Sequence, residues 1–163
     1  EISNVYTGDD LILSMVDDGE IPVASHKVEN NGVGAMVDKI DNRQLFDCEK
    51  TIALADRGCF HASVQTEDFY IGTRVKALEM KCCVSKGVLI FIATIVNQET
   101  FKYSYGRNCT AGVENVRIKL PVKHNDDGII FIDDEHTYSD EGYVPDWQFM
   151  EDYIKSLPYG DRL

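Results

Sequence analysis

The sequence predicts a mixed α/β (α+β) fold: a strongly twisted, partly barrel-like β-sheet with one central buried helix and a C-terminal helix. Three observations lead there. Residues 88–96 read VLIFIATIV, an unbroken apolar run suited to a buried helix, with Ser85 placed as its N-cap. Val116, Ile118, Leu120 and Val122 alternate with Arg117, Lys119 and Pro121, the period of a half-buried strand. Trp147, Met150, Ile154 and Leu157 recur at 3-4-3 spacing behind Pro145 and Asp146. That pattern is an amphipathic helix with Asp146 as N-cap and Lys155 in its last turn.

The other elements follow in chain order. Residues 1–8 are a lead-in segment, and residues 11–16 read as a strand or short helix closed by a turn at Asp17, Asp18 and Gly19. A strand at 21–25 runs into Asn30-Asn31-Gly32, residues that tolerate positive φ and so turn the chain. TIALA at 51–55 is β-like and ends in Asp56-Arg57-Gly58. Residues 61–65 alternate so that His61, Ser63 and Gln65 share a face, and Phe69-Tyr70 with residues 73–80 complete a β-rich first half. The stretch 129–132 reads as one more strand, half of a hairpin within an acidic insert.

A chain of 163 residues that is 44% hydrophobic has the size and composition of one domain with a real core. The expected division is a single domain 1–163, with a core at 1–123, an acidic insert or hairpin at 124–144 and a C-terminal helix at 145–158. The chain opens on Glu1 rather than Met, as expected of a piece cut from a longer protein. No signal-like segment opens it, and the apolar run falls far short of the roughly 20 residues that span a bilayer. The expectation is a soluble, cytoplasmic protein with no membrane partner. Cys48, Cys59, Cys82, Cys83 and Cys109 form an odd set without CxxC spacing, as reduced, mostly buried thiols do. His26, His61, His124 and His136 are scattered, with no paired metal-ligand spacing.

The net charge is −12, where a nucleic-acid binder usually carries a basic footprint. Its distribution matters more than its sum. Residues 124–163 hold eleven acids against Lys155 and Arg162, whereas residues 1–123 hold seventeen acids against fourteen bases. The first part therefore has room for a locally basic face, and the acid-rich part would face away from any bound nucleic acid or toward a partner. Its clusters Asp126/Asp127 and Asp133/Asp134/Glu135 lack the spacing of an EF-hand loop and read as solvated surface.

Enzyme motifs are missing. The chain has no GxxxxGK[ST] phosphate loop, no glycine-rich dinucleotide fingerprint and no NPPY or DPPY tetrapeptide. Asp68 with Glu79-Met80-Lys81 has the residue types of a magnesium-dependent nuclease, but the alternation through 75–80 accounts for that tripeptide as strand.

Several loops carry groups fit to read nucleic acid. Ser25, His26, Lys27, Asn30 and Asn31 offer hydrogen bonds to base edges or phosphates, or serve only to shape a surface loop. Arg57 suits a phosphate or guanine, with Gly58 permitting close approach, or is an exposed hairpin arginine. His61, Ser63 and Gln65 form either a readout face or an ordinary solvated sheet face. Tyr103, Tyr105, Gly106 and Arg107 combine stacking area, hydroxyl donors and a guanidinium. The alternative places the tyrosines in the core and Arg107 on helix-end carbonyls.

KYSYGR followed by VRIKLPV and then PDWQFMEDYIKSL resembles the signature of the target recognition domains of bacterial restriction-modification systems. These are type I DNA specificity subunits and relatives fused to adenine methyltransferases. GEIPVASHKVENNGV is similar to that family's GxIPVxSxxxxNNG opening, and TIALADRGCF and DFYIGTRVKAL resemble its next two strands. The likeness covers most of the chain in family order. The acidic insert at 124–144 departs from it, since the family has a short polar turn there.

The resemblance implies a non-catalytic domain that reads one half of a split site in double-stranded DNA. It would present that site to an adenine methyltransferase domain or subunit and, in the full assembly, to a restriction subunit. It also implies no cofactor in this domain, S-adenosylmethionine and magnesium belonging to partner domains. Ser25, Lys27, Asn30, Asn31, Arg57, His61, Gln65, Tyr105 and Arg107 are the expected DNA-facing set, with no metal or catalytic residue. The competing expectation is an acidic protein-interaction or DNA-mimic module whose 124–163 region binds a basic partner.

Overall fold

The computed structural model describes residues 1–103, 106–109 and 112–162, so Tyr105 lies outside the described residues. Its strands are β1 (Ser3–Thr7), β2 (Asp18–Ala24), β3 (Val33–Val37), β4 (Thr51–Ala55), β5 (His61–Val64), β6 (Tyr70–Ile71) and β7 (Val75–Met80). Its helices are α1 (Lys86–Asn97) and α2 (Trp147–Ser156). The strands form a four-stranded sheet in the order β1-β7-β4-β5 and a three-stranded sheet in the order β3-β2-β6. The fold is mixed α+β.

Every residue of β4 is buried because the large sheet is covered on both faces. Ile52 and Leu54, with Ala62, Leu78 and Met80, pack against Val88, Leu89, Ile92 and Val96 of α1 and Met150 of α2. On the opposite face Ala53, Val75 and Ala77 meet Phe46, Phe69, Ile71 and Ala24. α1 begins as expected, the Ser85 hydroxyl accepting from the Val88 N–H. α2 does too, with Asp146 Oδ1 accepting from the Phe149 N–H at 2.9 Å. Met150 and Ile154 bury the expected stripe, while Leu157 lies just past the helix and stays exposed.

Three expectations are corrected. No barrel-like closure is found among the described residues: the two sheets stay open, because β6 spans two residues and the outward backbone groups at β5 are met by the side chains of Asn31, Asn97 and Thr100 instead of a further strand. Within 116–122 exposure alternates as far as Leu120, and Val116, Ile118 and Leu120 do pack on the core, yet the stretch joins neither sheet. It is held at its end by the Asp146 N–H on the Pro121 carbonyl and the Lys123 N–H on the Val144 carbonyl. Between it and β1, β4 and β7 lies a cavity of about 680 Å³. Residues 129–132 likewise form only isolated antiparallel bridges, His124 to Ile130 and Ile132 to Tyr143.

Two local readings also shift. β1 lies in the expected lead-in segment and pairs antiparallel with β7. Gly19 sits inside β2, where a side chain would meet the Asp38 backbone at 2.4 Å, so it serves close approach of two chains and not a turn.

Candidate nucleic-acid interface

The antiparallel register brings four strand ends to one edge of the large sheet. Thr7 faces Lys76, Ala55 faces Val75, and Ala55 also faces His61. The segments leaving these strands, 8–10, 56–60 and 72–74, therefore emerge side by side. Two further loops are tied to them. The Gly58 N–H donates to Asn108 Oδ1 at 3.1 Å, and the Cys109 N–H donates to the Asp56 carbonyl at 3.2 Å. The Cys59 thiol donates to the His26 carbonyl at 3.1 Å. Lys27, Arg57 and Arg107, scattered in sequence, thus sit within two residues of the contacts that join their loops.

The 25–32 loop is shaped by its own polar groups. The Ser25 N–H and hydroxyl both donate to the Gly32 carbonyl, at 2.8 and 3.0 Å. Asn30 and Asn31 take φ of 51° and 52°, the left-handed region in which their short amides are tolerated. Asn31 Nδ2 reaches the Val64 carbonyl at 2.9 Å, and Gln65 Nε2 donates to the Asn31 carbonyl at 3.0 Å and to Ser63 Oγ at 2.9 Å. Gln65 is only 2% exposed, so it fastens the loop to β5 instead of standing on a wet face. Ser25 and Asn31 share that structural role; Lys27 and Asn30 are exposed, the Asn30 amide lying 3.5 Å from the Val33 carbonyl.

His61 is half-buried on the expected face, and burial holds its imidazole below the ordinary histidine pKa. Arg57 and Arg107 are exposed. One Arg107 nitrogen lies 3.4 Å from the Phe101 carbonyl, the carbonyl-capping contact foreseen as its alternative role. Tyr103 stacks on Phe60 with ring centroids 4.4 Å apart, so it belongs to the core. A hydrogen bond with Cys109, with burial second, pushes its hydroxyl pKa up to about 12.

Sequence reasoning passed over three residues here. Arg74, exposed beside Arg57, holds φ of 68°, a strained state for a side chain with a Cβ. Asp56 and Lys76 form a buried pair at 3.7 Å beneath the loops. The signal was present: Asp56 continues the inward series Ile52, Leu54, and Lys76 continues Leu78, Met80, which sets opposite charges on one apolar face.

The nuclease set is committed elsewhere. Glu79 accepts from the Tyr6 hydroxyl and pairs with Lys50 at 2.9 Å, while Asp68 accepts from the Cys48 N–H. Asp47 and Asp68 do cluster with Cys48 at metal-ligand spacing, but Asp47 also accepts from the Glu49 N–H, as in a loop braced by its own carboxylates. No described helix is long and apolar enough to cross a membrane.

No family model matches the chain. It is 25% identical over 138 residues, 83% of its length, to the type II restriction enzyme specificity subunit S.BcgI of Heyndrickxia coagulans, and it spans 35% of that subunit. The chain is thus a distant homologue of a restriction-enzyme specificity subunit.

Proposed function

We propose that this chain is a single target recognition domain that reads a double-stranded DNA sequence for a restriction-modification system. It presents the site to an adenine methyltransferase domain or subunit and a restriction subunit, performs no chemistry itself and leaves S-adenosylmethionine and magnesium to those partners. The observation that carries this reading is the joining of separate loops at one sheet edge, with Lys27, Arg57, Arg74 and Arg107 among them. Phosphate contacts from such cations position a duplex, and the side chains between them read base edges. Lys27, Asn30, Arg57, His61, Arg107 and, by its place in the sequence, Tyr105 are the residues we assign to DNA; Ser25, Asn31 and Gln65 set the loop that carries two of them.

The test is retention of a random duplex pool by the chain at low and moderate salt, followed by sequencing. A short enriched motif that disappears with Arg107→Ala establishes readout; no retention even at low salt sinks it. The acidic protein-interaction reading is favoured by one observation, the exposed Ile129, Ile130 and Ile132 beside the carboxylates of the insert. Failure of DNA retention together with capture of a basic methyltransferase partner would install that reading instead.

A further inference from the structure

Between the ends of β1 and β7 lies a cavity of about 180 Å³, lined by Thr7, Asp56, Arg57, Thr73, Arg74 and Lys76 among others. At roughly 30 Å³ per water it has room for several waters or one small anion. Lys76, 7% exposed, donates from Nζ to Thr7 Oγ1 at 2.8 Å and stands 3.7 Å from Asp56 Oδ2. An ammonium has three donors, so at least one is left for a guest. Both Asp56 side-chain oxygens are buried without a hydrogen-bond partner.

As a stabilising device this pair is poor. Buried ion pairs hold a fold only when geometry is close and the remaining lone pairs are satisfied, and neither condition is met. The arrangement makes sense as a held cation. Lys76 stands beside the Asp56 carboxylate, and the two line one cavity together with two arginines. The lining carries three cations against Asp56 and Asp10, and Asp10 also accepts from the Thr73 hydroxyl. One further negative charge leaves the site neutral, and a phosphodiester carries one.

Resting on the DNA-reading function above, we propose that this cavity seats one backbone phosphate of the bound duplex, gripped by Lys76, Arg57 and Arg74, with Asp56 as the positioning residue that holds Lys76. The seat carries no sequence information. It sets the register in which the neighbouring loops meet base edges.

The test compares the wild-type chain with Lys76→Met, Arg74→Asn and Asp56→Asn on the duplex recovered by pool selection, across a range of salt. Arg74 is exposed and asparagine tolerates its positive φ, so that variant folds whatever becomes of the buried pair. Lys76→Met and Arg74→Asn are each expected to weaken binding alike for all sequences and to reduce the slope of log affinity against log salt by about one. Asp56→Asn discriminates by sign. Removing a negative charge beside DNA tightens binding if the carboxylate is a bystander and weakens it if it positions the lysine.

A scan replacing single phosphates with neutral methylphosphonates adds a second readout. Wild type is expected to be sensitive at one phosphate to which Lys76→Met is indifferent. Wild-type salt slopes in both cation variants, tighter binding by Asp56→Asn, or a methylphosphonate profile unaltered in Lys76→Met would each overturn the seat while leaving sequence readout standing. A wild-type chain that retains no duplex at any salt removes the function, and the seat with it.

Discussion

The loop edge of the large sheet and the acidic hairpin at 124–144 are both irregular chain, and they are held in opposite ways. At the loop edge, side chains reach across long sequence separations to backbone groups. Asn97 at the end of α1 accepts from the Ala62 N–H at 2.7 Å and donates to the Ala62 carbonyl at 2.8 Å, and the Thr100 hydroxyl donates to the Phe60 carbonyl at 2.9 Å. Asn31, Gln65 and Asn108 extend the same pattern to three loops. In the hairpin the contacts are nearly all local: Asp133 accepts from the Glu135 and Thr137 N–H groups, and Ser139 Oγ accepts from the Tyr143 N–H at 2.7 Å. Irregular backbone fastened from outside keeps one geometry, as recognition requires; backbone fastened mostly to itself, as in the hairpin apart from the Glu1 ammonium on the Tyr138 carbonyl and the Tyr138 ring against Trp147, is freer to vary in sequence.

The strongest way to break this contrast is to cut the fastening that serves it most. Asn97→Ala would orphan both backbone groups of Ala62 on β5 and is expected to cost about 2–4 kcal/mol, read as a lower midpoint in urea unfolding. A loss below about 0.5 kcal/mol would mean that the loop edge is no better held than the hairpin.

The distinction was only partly legible in the sequence. The apolar run that becomes α1, the caps at Ser85 and Asp146, and TIALA as a strand all rest on local pattern, and local pattern is what a sequence displays; that TIALA is buried on both faces is not in that pattern. Residues 116–122 show its limit: alternation reports that one side packs, and says nothing of whether another backbone lies alongside to complete a ladder. Asn97 and Gln65 escaped as fasteners because their partners lie about 35 residues away, at distances of 2.7–3.0 Å that only the fold creates. Arg57 and Arg107 stood out as residue types, and it took the fold to bring their loops to Arg74 and Lys76.

A second, smaller effect lies in the charge buried beneath the loop edge. Burial pushes the Asp56 carboxyl above the ordinary carboxylate range, against the opposing pull of Lys76 and then Arg57. The folded state therefore holds that proton more readily than the unfolded chain, so stability falls as pH rises from the unfolded pKa through the folded one, and is flat above it. Glu79 runs the other way: its hydrogen bond with Lys50, the leading cause, holds it low, and its contribution is lost as pH falls. In the difference between Asp56→Asn and wild type the Glu79 effect cancels. The variant is expected to be at least as stable near neutral pH, with the gap closing as pH drops through the raised pKa, measured by urea unfolding from about pH 4 to about pH 8. A variant that is less stable at neutral pH would show the pair to be a structural support and would remove the contrast between fastening by hydrogen bonds and placement of charge.

The smallest effect belongs to the hairpin, and its smallness is the point. Ile129 is 66% exposed and Asp134 lies on the solvated surface, so neither Ile129→Ser nor Asp134→Asn removes packing or leaves a buried group unpaired. Each is expected to stay within about 0.5 kcal/mol of wild type in urea unfolding and to leave the DNA motif recovered by pool selection unchanged. Gly142 marks the exception inside this region. Its φ is 77° and an added Cβ would meet the Asp133 carbonyl at 2.7 Å, so the backbone there is tightly set. If the surface substitutions nonetheless shifted the recovered motif, the hairpin would be part of the reading surface, and the division into a fastened basic edge and a self-contained acidic insert would have to be redrawn around it.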